Sequence, residues 1–335
     1  MTGRFGVTPL VVAIGLASAA PALAFVQSRG SRFNECLRWK ARSLSFAVNG
    51  AGANERPGGC ASDAAVAAVE RGFSAWPQTA QACTDVAFVP AETTTSRKAL
   101  RDGQNVVLFR SRSCGSLVPP IAPDHPCHAP DAAEDCSSAF DCWDETVEDV
   151  IATTSVSYVA GTGEILEADM EINAVDSAGT SGFLMTCSDT APATDIQNVV
   201  THEAGHLLGL AHACEDSTMH PAAVDFTLAG CPGNTNPTMF PSSPPGELSK
   251  RSLEPDDVAG VCFLYPRGEA APECVGVVRQ ETRNDTGSSC GSGSAQPDAL
   301  ALLAIPAILL RRRGRRAARA QEVDDPVRRS APARR

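Results

Sequence analysis

The sequence predicts an α+β domain. Short strands are covered by one amphipathic helix, a second helix carries a histidine cluster, and a third follows a long irregular segment. Three observations predict this. Residues 44–49 alternate apolar and polar side chains, and 151–160 and 164–173 are two longer strand-like runs joined through Gly161-Thr162-Gly163, a hairpin signal. Between 61 and 76, Val66, Val69, Phe73 and Trp76 recur at helical spacing. Residues 195–208 continue that period through His202 and His206, which a helix sets one turn apart on one face.

The remaining elements follow in order. Residues 85–90 and 105–110 are short β-rich runs, and 114–149 is a long Pro-, Asp- and Cys-rich insertion without periodicity. The stretch 209–253 reads as loop, and Pro255 suits the first turn of the closing helix. Residues 267–289 are polar and rich in small residues, as a linker is. No internal repeat is evident.

Both ends read as addresses. In residues 1–24, Arg4 precedes an apolar run through Val11-Val12-Ala13-Ile14 and then Ala22-Leu23-Ala24, a signal peptide with cleavage expected before Phe25. Residues 290–335 combine Cys290-Gly291, a twelve-residue apolar run broken by Pro306, and an Arg cluster beginning Arg311-Arg312-Arg313. That run is too short to span a bilayer comfortably, so a processed sorting signal is expected rather than a permanent anchor. The protein is therefore expected to be secreted or held at the outer surface, with transient membrane association.

Charge and cysteines agree. The net charge is −11, but the last 25 residues hold ten Arg against three acids, leaving −18 for everything before them. Nucleic acid is an unsuitable partner for so acidic a domain. Thirteen cysteines in an exported chain read as disulfides, and setting Cys290 aside leaves twelve. Cys214 and Cys231 are expected to pair locally, closing a loop after the histidines. A cysteine-built second zinc site lacks any CxxC pair to support it.

The chemistry concentrates in His202-Glu203-Ala204-Gly205-His206-Leu207-Leu208-Gly209-Leu210-Ala211-His212, an HExxHxxGxxH pattern that holds three of the chain's six histidines. Gly209 can leave the helix through a left-handed C-cap and return His212 as a third ligand. Three neutral imidazoles and one open position describe a catalytic rather than a structural zinc site. Glu203, which is not a ligand, is placed to act as general base toward a water there.

These residues resemble the metzincin metallopeptidases, and their surroundings resemble the matrixin branch. Asp195-Ile196-Gln197-Asn198-Val199-Val200 is similar to the entry of a matrixin active-site helix. Ala168-Asp169-Met170-Glu171-Ile172-Asn173 resembles a matrixin strand, and Leu253, Asp256-Asp257-Val258-Ala259-Gly260-Val261 and Leu264-Tyr265 resemble the closing helix. The resemblance implies a mixed twisted sheet within residues 25–266 and a zinc endopeptidase whose substrate binds extended along a sheet edge, expected near 168–173. A monomer is expected. It also implies a methionine turn beneath the metal, for which Met239 is favoured over Met219. Phe240 and Pro241 would then line the substrate pocket, or His220 and Pro221 on the other assignment. The C-terminal signal resembles the myxobacterial sorting domain, which makes Cys290 the processing point.

Other clusters are weaker. Asp124, His125 and His128 are candidates for a second metal, and the acids Asp131, Glu134, Asp135, Asp141, Asp144 and Glu145 for Ca2+, though without the spacing of a known calcium loop. A catalytically inactive, disulfide-rich binding or adhesion protein on a peptidase fold is the alternative function, and a hydrolase of non-peptide amides is a third. Neither is favoured by a residue pattern in the chain.

Overall fold

Alternation along β2 (Ser43–Val48) turns Leu44, Phe46 and Val48 inward, the period-2 pattern of a strand with one covered face. The structure, a computed structural model, describes residues 25–30, 34–51, 60–129, 134–144, 150–174, 183–189, 193–213 and 237–272. It is an α+β domain. Besides β2, its elements are β1 (Val26–Gln27), α1 (Ser62–Ala80), β3 (Ala87–Pro90), β4 (Val106–Arg110), α2 (Cys136–Phe140), β5 (Ala152–Val159) and β6 (Glu164–Asn173). They are followed by β7 (Met185–Thr186), β8 (Thr194–Asp195), α3 (Ile196–Leu207), β9 (Leu210–Ala211) and α4 (Pro255–Leu264).

Five strands form the mixed sheet, in the order β3-β2-β4-β6-β5. β2, β3, β4 and β6 run parallel, and β5 returns antiparallel to β6 through the predicted hairpin, pairing Thr154 with Met170 and Ser155 with Asp169. Helices α1 and α3 cover one face. Phe46 stacks on Phe73 of α1 at 3.9 Å between ring centroids, and Met170, Ile172, Val199 and Val200 continue the same buried layer. Helix α1 runs one turn beyond the expected end at 76, through Pro77. Pro77 forfeits a donor, but Trp76 and Ala80 are fully buried there, and packing outweighs the lost bond.

The topology corrects one expectation. Residues 168–173 lie in β6, which is hydrogen-bonded between β4 and β5 and so has no free side. Among the described residues β5 is the edge strand on that flank. Alternation within either strand cannot separate the two, because only the order of the sheet decides which is outermost.

The described part of the 114–149 insertion is more ordered than its lack of periodicity suggests. It holds single 3-10 turns at Cys114–Ser116 and Pro126–His128 and the short α2, and it is closed by Cys114–Cys142 and Cys127–Cys136 disulfides. A fully buried Arg110 fastens it to the sheet. Its guanidinium donates to Glu171 Oε2 at 2.5 Å, Arg97 O at 2.5 Å, Asp141 Oδ1 at 3.2 Å and Ser138 Oγ at 3.4 Å. Of the acids weighed for calcium, Asp141 thus pairs with arginine, Asp135 caps α2 by accepting from Ser138 N, and Glu134 pairs with Lys98. Their carboxylates hold the insertion down instead of converging on an ion. Asp131 and Glu145 lie outside the described residues.

Further disulfides brace the helices. Cys60–Cys187 ties the start of α1 to the segment before β8, and Cys83–Cys262 ties the end of α1 to α4. Cys36 is also disulfide-bonded. At the N-terminal side, β1 pairs antiparallel with β9, matching Val26 to Ala211 and Gln27 to Leu210. No helix among the described residues is long and apolar enough to cross a membrane.

Candidate metal centre

Helix α3 starts on Asp195, whose Oδ1 accepts from Asn198 N at 2.8 Å and from Arg251 Nε at 2.8 Å. From that start the 3.6-residue period sets His202 and His206 on one face. The helix stops where predicted. Gly209 has φ +92, donates its N–H to His206 O at 2.9 Å, and sits where an added Cβ would lie 2.5 Å from Leu37 O. The chain then turns into β9 and delivers His212. Two side chains fix carbonyls at this helix end, Trp39 Nε1 donating to Leu207 O at 2.8 Å and Tyr265 OH to Leu208 O at 2.6 Å, and Trp76 Nε1 donates to Thr201 O in mid-helix at 2.9 Å.

All three histidines are buried, and their Nε2 atoms converge. His202 Nε2 lies 3.0 Å from His206 Nε2 and 3.2 Å from His212 Nε2. The opposite ring nitrogens settle the protonation. His202 Nδ1 is 2.6 Å from Thr238 O and His206 Nδ1 is 2.7 Å from Leu210 O, and a carbonyl can only accept. Each Nδ1 therefore carries a proton, and in the neutral ring each Nε2 turns a lone pair toward the other. Burial, reinforced by the two neighbouring rings, also holds the His202 pKa well below its ordinary value, which keeps it neutral. Facing lone pairs about 3 Å apart repel unless a cation lies between them. Zinc–nitrogen distances of about 2.0–2.1 Å in tetrahedral geometry require nitrogens about 3.3 Å apart, close to what the rings present. The donor set fits zinc.

Glu203 is fully buried beside this cluster. Thr154 Oγ1, on β5, donates to its Oε2 at 2.7 Å, while its Oε1 has no hydrogen-bond partner among the described residues. Burial pushes its pKa up to about 8, and the Thr154 hydrogen bond opposes that rise. A cation held by the neighbouring histidines would oppose it further.

Met239 packs under the helix. A Cβ on Gly205 would overlap the Met239 sulphur and come within 2.7 Å of Trp76 Cζ2, so the close approach of helix and methionine needs glycine there. Met239 O accepts from Ala213 N at 3.0 Å, next to the third histidine. Asp257, in the first turn of α4, anchors the same segment by accepting from Thr238 N at 2.7 Å and Met239 N at 3.1 Å. Burial pushes the Asp257 pKa up to about 6 against these hydrogen bonds. Phe240 and Pro241 follow, both partly exposed. The chain beyond them is fastened to the first turn of α3: Asn198 Nδ2 donates to Ser243 Oγ at 3.0 Å, Lys250 N donates to Asn198 Oδ1 at 2.8 Å, and the buried Lys250 Nζ donates to Ser242 O at 2.7 Å.

The other expected sites fare differently. His125 caps a turn by accepting from Cys127 N at 3.2 Å. His128 Nδ1 lies 3.4 Å from Cys136 Sγ, but that sulphur is bonded to Cys127, so neither cysteine is a thiolate ligand. Met219, His220, Pro221, Cys214, Cys231 and Cys290 lie outside the described residues. Thr154, Thr238 and Asp257 are contributors that the motif does not show, because each acts from a different element and meets the helix only in three dimensions.

The comparisons agree with this geometry. The family described as metallo-peptidase family M12B, reprolysin-like, matches residues 126–251. Metalloendoproteinase 1-MMP of Arabidopsis thaliana is 38% identical over 73 residues, which is 22% of this chain. The match spans only 15% of that protein's length. Both similarities are to metallopeptidases, each over part of the chain, and they agree with a buried three-histidine cluster that could hold a metal ion, typically zinc in such peptidases.

Proposed function

We propose that this protein is an exported, matrixin-like zinc endopeptidase. The observation that carries the proposal is the convergence of three buried Nε2 atoms next to a buried carboxylate with one oxygen unpaired among the described residues. His202, His206 and His212 would hold zinc, which when bound acts as a Lewis acid and lowers the pKa of a coordinated water toward about 7. Glu203 takes the proton from the attacking water and then delivers it to the departing amine. A peptide binds extended and antiparallel along β5, adding a strand to the outer edge of the sheet. Because Thr154 of β5 touches Glu203, that edge passes the general base. Met239 serves as the methionine turn, supported by its packing against Gly205 and its bond to Ala213. Phe240 and Pro241 then form the wall that receives the side chain after the cleaved bond. The matrixin subtype is supported by the similarity to 1-MMP and the segments around the motif.

A chelator experiment tests the class of activity. Casein or gelatin turnover is expected to vanish with chelation and to return with stoichiometric zinc. Persistence after complete metal removal would eliminate the reading, and so would absence of turnover in the zinc-loaded protein.

The domain ends belong to the same proposal. Residues 1–24 direct export, 267–289 link the domain to its tail, and cutting near Cys290 removes about 45 residues. Cys214 and Cys231 close the loop after the third histidine. Intact-mass measurement and unreduced peptide mapping of protein from its native host address both. A mature chain ending near Cys290 and one cross-linked 214–231 species are expected. C-terminal arginines retained on surface protein, or free thiols at 214 and 231, would each remove the corresponding part.

A further inference from the structure

The catalytic helix is described by its motif, yet the only described group that holds the Glu203 carboxylate through a side chain comes from the opposite element. Thr154 is third in β5, 49 residues before Glu203, and its hydroxyl is buried. The hydroxyl donates to Glu203 Oε2 at 2.7 Å and lies 3.4 Å from the Glu203 carbonyl oxygen. In the ionised form that serves as a base, the carboxylate only accepts, and the Thr154 proton then points at Glu203. The two carboxylate oxygens are thereby made unequal: Oε2 is occupied, and Oε1, equally buried, is left without a partner among the described residues. A buried acceptor without a partner is costly unless a donor is supplied during function.

We propose that Thr154 is a positioning residue for the general base: it pins Oε2 so that Oε1 is the oxygen that receives the proton. This rests on the peptidase reading above. The location of Thr154 adds a consequence. Its strand is the sheet edge among the described residues, with its backbone in register with Met170 of β6 on one side and no strand paired to it on the other among those residues. Substrate that straightens or shifts β5 moves the hydroxyl that orients the base, so docking at the edge and proton abstraction are linked through one side chain. A side-chain torsion left unpinned in a buried base misplaces the accepting oxygen by about 1 Å or more, which costs roughly a hundredfold in rate.

Two substitutions and a cycle test this. Thr154→Val keeps the branched shape and removes the donor, while Thr154→Ser keeps the donor. Thr154→Val is expected to lower kcat by about 10–100-fold with KM within about twofold and zinc content unchanged. Thr154→Ser is expected to stay within about threefold of the parent in kcat. In chelator-treated, metal-free protein, Thr154→Val and Glu203→Ala are expected to be non-additive in denaturant unfolding. The folding constant should fall about five- to tenfold more from Thr154→Val when Glu203 is present than when it is Ala. Parental kcat in Thr154→Val, a loss that Thr154→Ser does not restore, or an additive cycle would each overturn the proposal. The cycle needs no turnover. Inactive parent protein with a non-additive cycle would refute the peptidase reading while leaving the Thr154–Glu203 contact standing.

Discussion

Replacing Glu203 by Gln is expected to lower kcat/KM for peptide hydrolysis by about three to four orders of magnitude while leaving one zinc bound per chain. The side chain is not part of the converging nitrogen set, and Gln is nearly isosteric, so it still accepts from Thr154 through its carbonyl oxygen. What it lacks is basicity: an amide cannot take a proton from water or return one to an amine. The expected signature is a loss in kcat and kcat/KM together, since the missing step occurs only in the transition state. Metal analysis after dialysis, combined with steady-state kinetics on a fluorogenic peptide, checks both halves. Parental turnover would mean that another group is the base. Loss of zinc with loss of activity would mean that Glu203 is needed to build the site.

The opposite pattern is expected for His206→Ala. This substitution removes the Nε2 atom 3.0 Å from that of His202 and leaves a buried, incomplete set of nitrogens. Losing an outer partner of a zinc ligand typically costs about 10–100-fold in affinity, and losing the ligand itself should cost more. After dialysis the protein should hold well under one zinc per chain and show no hydrolysis, and excess zinc should not restore the parent rate. His206 also holds the turn that follows it, its Nδ1 donating to Leu210 O and its own carbonyl accepting from Gly209 N. Circular dichroism and unfolding measurements on metal-free parent and variant separate metal loss from misfolding, because the backbone bond survives the substitution. Stoichiometric zinc retained by folded His206→Ala would remove His206 from the ligand set.

Much of the site could be read along the chain because its parts are local. His202, Glu203 and His206 share one helix, and Gly209 and His212 follow within the next turn, so helical period and the conformational freedom of glycine suffice to place them. The same holds for the amphipathic face of α1, the β5–β6 hairpin and the start of α4 at Pro255. Each is a pattern whose physical cause acts over a few residues.

Tertiary structure alone decided what depends on distant pairing. It set β5 rather than β6 at the sheet edge, since strand order carries no trace in the alternation of either strand. It brought Thr154 to Glu203, Thr238 to His202 and Asp257 to the Thr238–Met239 backbone, contacts that span 49, 36 and 18–19 residues. It also turned an insertion without periodicity into a disulfide-closed cover held by Arg110. Thus the sequence by itself placed the three histidines and Glu203 together, because their spacing is dictated by one helix and one turn. The partners that orient them came from packing: a hydrogen bond between distant elements has no periodicity to betray it, and it exists only once the core has set both backbones in place.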